Sequence, residues 1–291
     1  MSLLSVKHTK CPHCYAKSFV KRGYFYSKNT KTYIPRYNCK VCRKTFSTRT
    51  NSPTFMQKRT DLNVQIYHYL CSGASMRTTA KSLGCTYRTV YLKFLWLSQR
   101  AKQIHLSQIF SSQEIYFDEM QSIEHTKLKP LTVALAVDEQ YRILGTQVGK
   151  IPAQGHLAKI SLFKYGYRQN ESTKKVKTLL TMVKSQQMSA AFTLKSDAKP
   201  EYVPAVRAVF KKVVYEQFSS RGNKEKRREQ KYLKKEKKVF DPLFPLNQRC
   251  AKLRDHIKRL VRRSWCTNKR ADHLELALYL YVAKNNNYKL I

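Results

Sequence analysis

Residues 131–148 read Leu131-Thr-Val-Ala-Leu-Ala-Val137-Asp-Glu-Gln-Tyr-Arg-Ile143-Leu-Gly-Thr-Gln-Val148. Two short apolar runs, bounded by polar residues, form a strand pair with a turn at Asp138-Glu139-Gln140. Upstream, Ile115-Tyr-Phe-Asp118 is a third strand of the same kind. Downstream come a helix over about 172–187, a strand Ala191–Ser196, a helix from Pro200 to Phe210, and a strand at Val213-Val214-Tyr215. Three adjacent strands followed by alternating helix and strand predict a mixed α/β sheet. Two more helices, roughly 246–263 and 271–285, close the chain.

Between sheet and final helices, residues 219–238 hold ten Lys/Arg and three Glu with almost no apolar residue. Such a run is a solvated loop or exposed helix, or a clamp on a polyanion. The whole chain shares the bias, with 57 Lys+Arg against 18 Asp+Glu and a formal charge of +39. An excess of that size points to nucleic acid, although ribosomal and membrane-surface proteins are basic too. Hydrophobic residues make up 42%, with 19 Tyr and 13 Phe, enough for a core in each part and against general disorder. No run of about 18 apolar residues predicts a membrane span, and Met1–Lys10 has no signal-peptide core. The expected location is therefore cytoplasmic, nucleoid-associated when bound to DNA.

The N-terminal third has a different character. Cys11-Pro-His-Cys14 and Cys39-Lys-Val-Cys42 stand 24 residues apart among short Tyr/Phe runs that suggest β-hairpins. Each CxxC offers two thiolates from one tight turn, and four complete a tetrahedron around structural Zn²⁺. The competing reading is incidental thiols or a redox pair. Cys71, Cys85, Cys250 and Cys266 stand singly and read as small hydrophobes. Past a hinge at Asn51-Ser52-Pro53, helical spacing begins at Asp61 with Leu62, Ile66, Tyr69 and Leu70. A short helix over Ser75–Leu83, a turn at Gly84 and a helix Thr86–Arg100 then have the form of a helix-turn-helix, or of an ordinary αα-hairpin. On the first reading Thr86, Tyr87, Arg88, Thr89 and Lys93 face the DNA major groove.

Carboxylates are scarce, so their positions carry information. Asp118 and Asp197 each end a strand and, if those strands are neighbours, converge at one sheet edge. Hard oxygen ligands there suit Mg²⁺ or Mn²⁺ for phosphodiester displacement; the alternative is two capping or turn aspartates. Glu119 points to the opposite face by strand period, and Asp138 belongs to a hairpin turn, so neither joins the site.

The stretches CPHC…CKVCRKTFS, FDEM at Asp118, SDAKPEY at Asp197 and LRDHIKRLVRRSW followed by CTNKR together resemble insertion-sequence transposases of the InsAB type. The resemblance runs in scattered motifs from about residue 8 to 288. It implies a zinc ribbon over 7–50 and a helix-turn-helix domain over 60–102, binding terminal repeats of double-stranded DNA. An RNase H-like catalytic domain over 112–288, with a basic insertion at 219–246, would cleave and join strands as a homodimer or higher oligomer. Asp118 and Asp197 take the family's metal-ligand positions. The family's third acid, a Glu before the LR pair, is matched by Asn247, which leaves two readings: a weakened transposase, or a relative that only binds DNA. On a helix through Asn247, Arg254 and Lys258 fall within about 20° of it, aimed at phosphates near the metal, and Arg259, Arg262 and Arg263 add backbone contacts. Asp241 is the rival third ligand, while Asp255 faces solvent and Glu275 lies too far on.

Overall fold

A computed structural model describes residues 10–27, 32–189, 191–219, 241–260, 266 and 268–291. The basic run at 220–238, with Val261, Arg262 and Arg263, lies outside the described residues. The chain divides into one compact unit ending at Ile66 and a second spanning Tyr67–Leu290.

The first unit is a three-stranded antiparallel sheet in the order β1 (Phe19–Ser27), β2 (Thr32–Cys39), β3 (Thr45–Ser47). Its core is small: Cys11, Cys39 and Phe46 are buried, with Phe19 edge-on to Phe46 at 5.4 Å and Tyr37 stacked on it at 5.5 Å. A core of that size supplies little apolar burial, so the unit depends on something else for stability.

The second unit opens with the end of α1 (Leu62–Cys71), then α2 (Met76–Ser82) and α3 (Tyr87–Leu106). Ser75 and Thr86 cap α2 and α3, each hydroxyl accepting from the backbone N–H three residues on. A meander follows: β4 (Glu114–Glu124), β5 (Thr126–Asp138) and β6 (Ile143–Lys150). Next come α4 (Leu157–Tyr165), α5 (Ser172–Gln186), β7 (Thr193–Asp197), α6 (Tyr202–Val209), β8 (Val214–Phe218), α7 (Phe244–His256), a 3₁₀ turn over Lys258–Leu260, and α8 (Ala271–Asn285). The five strands lie in the order β6-β5-β4-β7-β8. The first three pair antiparallel, while β7 runs parallel to β4 and β8 parallel to β7. The mixed α/β sheet is thus present.

Side-chain size decides which helix covers which face. Leu131, Val133, Leu135 and Val137 of β5 point to the side covered by α7 and α8. Ala134 and Ala136 point to the other side, with α5 and α6. The small residues let α5 come close: a Cβ on Gly145 would lie 2.2 Å from Met182 Cε and 2.8 Å from Leu179 Cδ1.

α3 is longer than its expected extent because its far end packs on α8. Val90, Phe94, Leu97 and Ala101 are buried, and Lys102 pairs with Glu275 at 2.6 Å. His105, wholly buried, has Nε2 3.2 Å from the Leu144 carbonyl and Nδ1 3.0 Å from the Tyr288 hydroxyl. Burial lowers its pKa from 6.5 to about 4. Between those values the unfolded chain takes up a proton that native His105 refuses. Stability fully present above pH 6.5 is therefore lost as pH falls through 4, by about 3 kcal/mol when complete. Denaturant melts at pH 7 and 4.5 should show that loss, and His105→Gln should shrink it.

Two expectations need correction. Lys93, placed on a DNA-facing surface, is only 6% exposed, because α3 buries the side carrying Val90, Phe94 and Leu97 as well. The basic helix expected to run to residue 263 stops at His256, where the backbone of Ile257 turns extended (φ −108°, ψ 96°). Lys258 thus lies off the helical register that would have aligned it with Asn247, while Arg254 stays on the helix. Arg259 packs instead over the Phe94 ring at 5.6 Å, with Nη2 3.7 Å from Met76 Sδ.

Candidate active site and zinc centre

The two cysteine knuckles are built alike. Tyr15 N–H donates to the Cys11 carbonyl at 2.9 Å and Arg43 N–H to that of Cys39 at 3.0 Å. Each knuckle then needs a left-handed residue, supplied by Tyr15 (φ 59°) and Arg43 (φ 57°), where glycine would be less strained. The turns bring the four sulfurs within 4.8 Å of one another, with Cys14–Cys39 at 3.5 Å and Cys11–Cys42 at 3.8 Å. Four sulfurs about 2.3 Å from a central zinc ion lie about 3.8 Å apart, so the cluster fits that ion. Backbone N–H groups of Cys42 and Val41 bring the Cys39 thiol down to about 6, while burial and hydrogen bonds with the other three cysteines push Cys14 up to about 12. Burial likewise pushes Cys71 and Cys250, outside the cluster, up to about 12 and keeps each a neutral thiol.

In the second unit, parallel register sets the acids. Tyr116 pairs with Lys195, and β7 stays beside β4 only from Glu114 to Tyr116. Carried two residues on, that register puts Asp118 level with Asp197, past the point where β7 pairs with β4. Both line a cleft of about 340 Å³, together with Glu119, Ser172, Lys199, Glu201 and Tyr202. Tyr202 donates its hydroxyl to Asp118 Oδ1 at 2.9 Å and reaches Glu119 Oε2 at 3.3 Å. Burial pushes the Asp118 carboxyl up to about 6, and the nearby charge of Asp197 adds to the rise.

Glu119, set aside on strand period, belongs to this cleft. It does point to the face opposite Asp118, but past the end of that pairing both reach Tyr202. Burial works against its charge, yet an ion pair with Lys199 and hydrogen bonds from Ser172 (2.9 Å) and Thr132 (2.8 Å) outweigh that and lower its pKa. Sequence reading also passed over Lys199 and Tyr202, although both follow closely on Asp197 in the SDAKPEY stretch. Lys199→Met would leave a buried carboxylate without its cation and should cost about 3 kcal/mol in a thermal melt, with partial recovery on adding Glu119→Gln.

The other expected residues fall elsewhere. Asp138 holds its hairpin turn by accepting from the Gln140 and Arg142 backbone N–H groups. Asn247 is exposed and does not line the cleft; its amide donates to Asp241 Oδ2 at 2.8 Å. α7 does pass the acids, because the Asp118 charge is felt at Cys250, as is that of Arg254. Asp255 faces solvent and Glu275 is taken by Lys102. Thr86, Tyr87 and Arg88 are exposed at the start of α3 and Thr89 is half-buried, its N–H and hydroxyl engaged by the Thr86 cap.

No described helix is long and apolar enough to cross a membrane. No family model and no curated protein matches the chain. Among solved structures the chain is similar to the Mos1 mariner paired end complex with Mn, over 68% of this chain and 77% of that one, at 11% identity and a TM-score of 0.26. A likeness that slight carries no argument about function.

Proposed function

We propose that the protein is a DNA transposase of the insertion-sequence type, which cleaves and joins strands with the help of Mg²⁺ or Mn²⁺. The observation that carries the reading is the placement of Asp118 and Asp197, level with one another in one cleft, past the point where β7 pairs with β4. Two carboxylates in one cleft repel unless a cation lies between them, and hard oxygen donors suit those ions. Such ions would supply activation of the attacking oxygen and stabilisation of the leaving one. The protein's part is to hold the carboxylates: Tyr202 fixes Asp118, and Lys199 neutralises Glu119 next to it.

The charge of +39 supports double-stranded DNA as partner. On this reading α2 and α3 are a helix-turn-helix, with Thr86, Tyr87 and Arg88 reading terminal repeats, and Thr89 serving the cap. The cysteine cluster holds structural zinc, and the protein acts as a homodimer or larger assembly on DNA in the cytoplasm.

A second reading, a relative that binds DNA without cutting it, is favoured by one observation. Asn247 stands where the resemblance expects a third acid, and it is tied to Asp241 outside the cleft. Strand transfer on the element's own ends, with Mn²⁺, separates the two. The transposase reading expects weak activity in the native protein, a gain in Asn247→Glu, and a loss in Asp241→Ala if that acid moves in as third ligand. Absence of cleavage in the native protein and in Asn247→Glu alike, with DNA binding intact, selects the binding-only reading.

A further inference from the structure

The segment between β6 and α5 builds a surface that the proposed chemistry does not use. Its ends are tied down: the Arg168 guanidinium donates to the carbonyls of Ile151 (3.4 Å) and Pro130 (3.2 Å) and pairs with Glu124 at 3.2 Å. The middle is tied too, since Ser161, the one buried residue of α4, donates to the Leu128 carbonyl at 2.7 Å. With Ser161 inward, a rise of about 100° per residue puts Lys159 and Phe163 together on the crest. Phe163 is 95% exposed, and Ile160, Leu162 and Tyr167 are each more than half exposed. A water-soluble surface rarely holds so much apolar area on a pinned helix without a partner.

Charge and position choose the partner. Residues 156–170 contain Lys159, Lys164 and Arg168 and no carboxylate. The cleft holding Asp118 and Asp197 shares Gln121, Ile151, Pro152 and Gln154 with a second cleft of about 280 Å³, whose wall includes Leu157 of α4 and the cations Lys127 and Arg259. The two clefts thus adjoin along a shared wall, and the groove they line reaches the foot of an aromatic, cationic crest. Apolar side chains wedged between bases unstack them, and lysines beside them meet the phosphates.

We propose that α4 is a DNA wedge: Phe163 inserts at the end of the bound duplex and stacks on a base, while the freed strand follows the groove to the acids. The inference rests on the transposase reading for its substrate, and it concerns binding alone, so neither metal nor cleavage enters the test. The zinc-loaded full-length protein is titrated, without Mg²⁺ or Mn²⁺, into element-end duplexes carrying single 2-aminopurine bases near the cut. Native protein and Phe163→Trp should raise the fluorescence at one or two positions. Phe163→Ala should abolish that rise and weaken binding about tenfold, with its thermal melt unchanged.

If Phe163→Ala binds as tightly and gives the same fluorescence, the wedge is wrong and the transposase reading stands. If the native protein binds none of these duplexes, both fall. Sedimentation on the same samples covers the remaining occupant. A native dimer that Phe163→Ala splits, with 2-aminopurine unaffected, assigns the crest to a second copy of the chain and overturns the wedge.

Discussion

Asp118→Asn and Asp197→Asn are each expected to lower strand cleavage by on the order of 10³-fold while leaving the protein folded. Losing one anionic ligand removes several kcal/mol of charge stabilisation, and each 1.36 kcal/mol is a factor of ten in rate. The fold should tolerate the change because Asn matches Asp in shape, and the Tyr202 hydroxyl can still donate to the side-chain oxygen at position 118. It also relieves the repulsion between two acids in one cleft. Loss of cleavage with an equal or higher melting temperature is therefore the expected pair of results. Tyr202→Phe, which removes the hydroxyl that orients Asp118 and also reaches Glu119, should fall between native and Asp118→Asn, about 10- to 100-fold down in metal affinity. A collapsed melt in Asp118→Asn would make that residue structural instead.

The second large effect concerns zinc. Stripping the metal with a chelator, or Cys39→Ala, should unfold the first unit and leave the second folded. The buried cluster around the knuckles consists of Cys11, Cys39 and Phe46 with a few partly covered neighbours, two of those three being cysteines of the site, and the sheet adds little more than Ile34. Binding free energies of structural zinc, roughly 10 kcal/mol or more in small domains, exceed anything such a core supplies. Without metal, four thiols would crowd in one place, and two knuckles would retain strained left-handed residues at Tyr15 and Arg43 with nothing to offset them. Backbone NMR should show resonances of residues 10–50 collapsing to random-coil positions on chelation and returning with one equivalent of Zn²⁺. A ribbon that keeps its dispersion without metal would exclude this account.

What could be read in the sequence follows from which forces act locally. The strands β4 to β8 were legible in place, because apolar runs of strand length bounded by turn residues leave little alternative. Their extent was not: β4 runs on to Glu124, so Asp118 lies within it and does not end it. The cysteine spacing was legible because two-residue loops between thiols serve few other purposes. Glu119 was misjudged for a non-local reason: the period-two rule assigns its face correctly, but past the last β4–β7 pair, at Tyr116, side chains of both faces line one cleft. Lys93 was misjudged for a similar reason, since α3 meets a helix nearly 180 residues away along the chain. α4 went unseen because its pattern is inverted, with a serine inward and a phenylalanine outward, which no burial rule anticipates. The end of α7 at His256 followed no proline or glycine in the sequence and depends on tertiary packing. There the carbonyls of Asp255 and His256 lie 3.2 and 3.5 Å from where a Cβ on Gly73 would stand.

The central claim is that Asp118 and Asp197 together hold a divalent cation. Its most direct test is a Mn²⁺ titration of the zinc-loaded protein followed by the electron paramagnetic resonance of free Mn²⁺, with native protein beside Asp118→Asn/Asp197→Asn. The account predicts that the native protein withdraws at least one equivalent of Mn²⁺ from solution and the doubly substituted protein does not. Equal withdrawal by both, or none by the native protein, would contradict it.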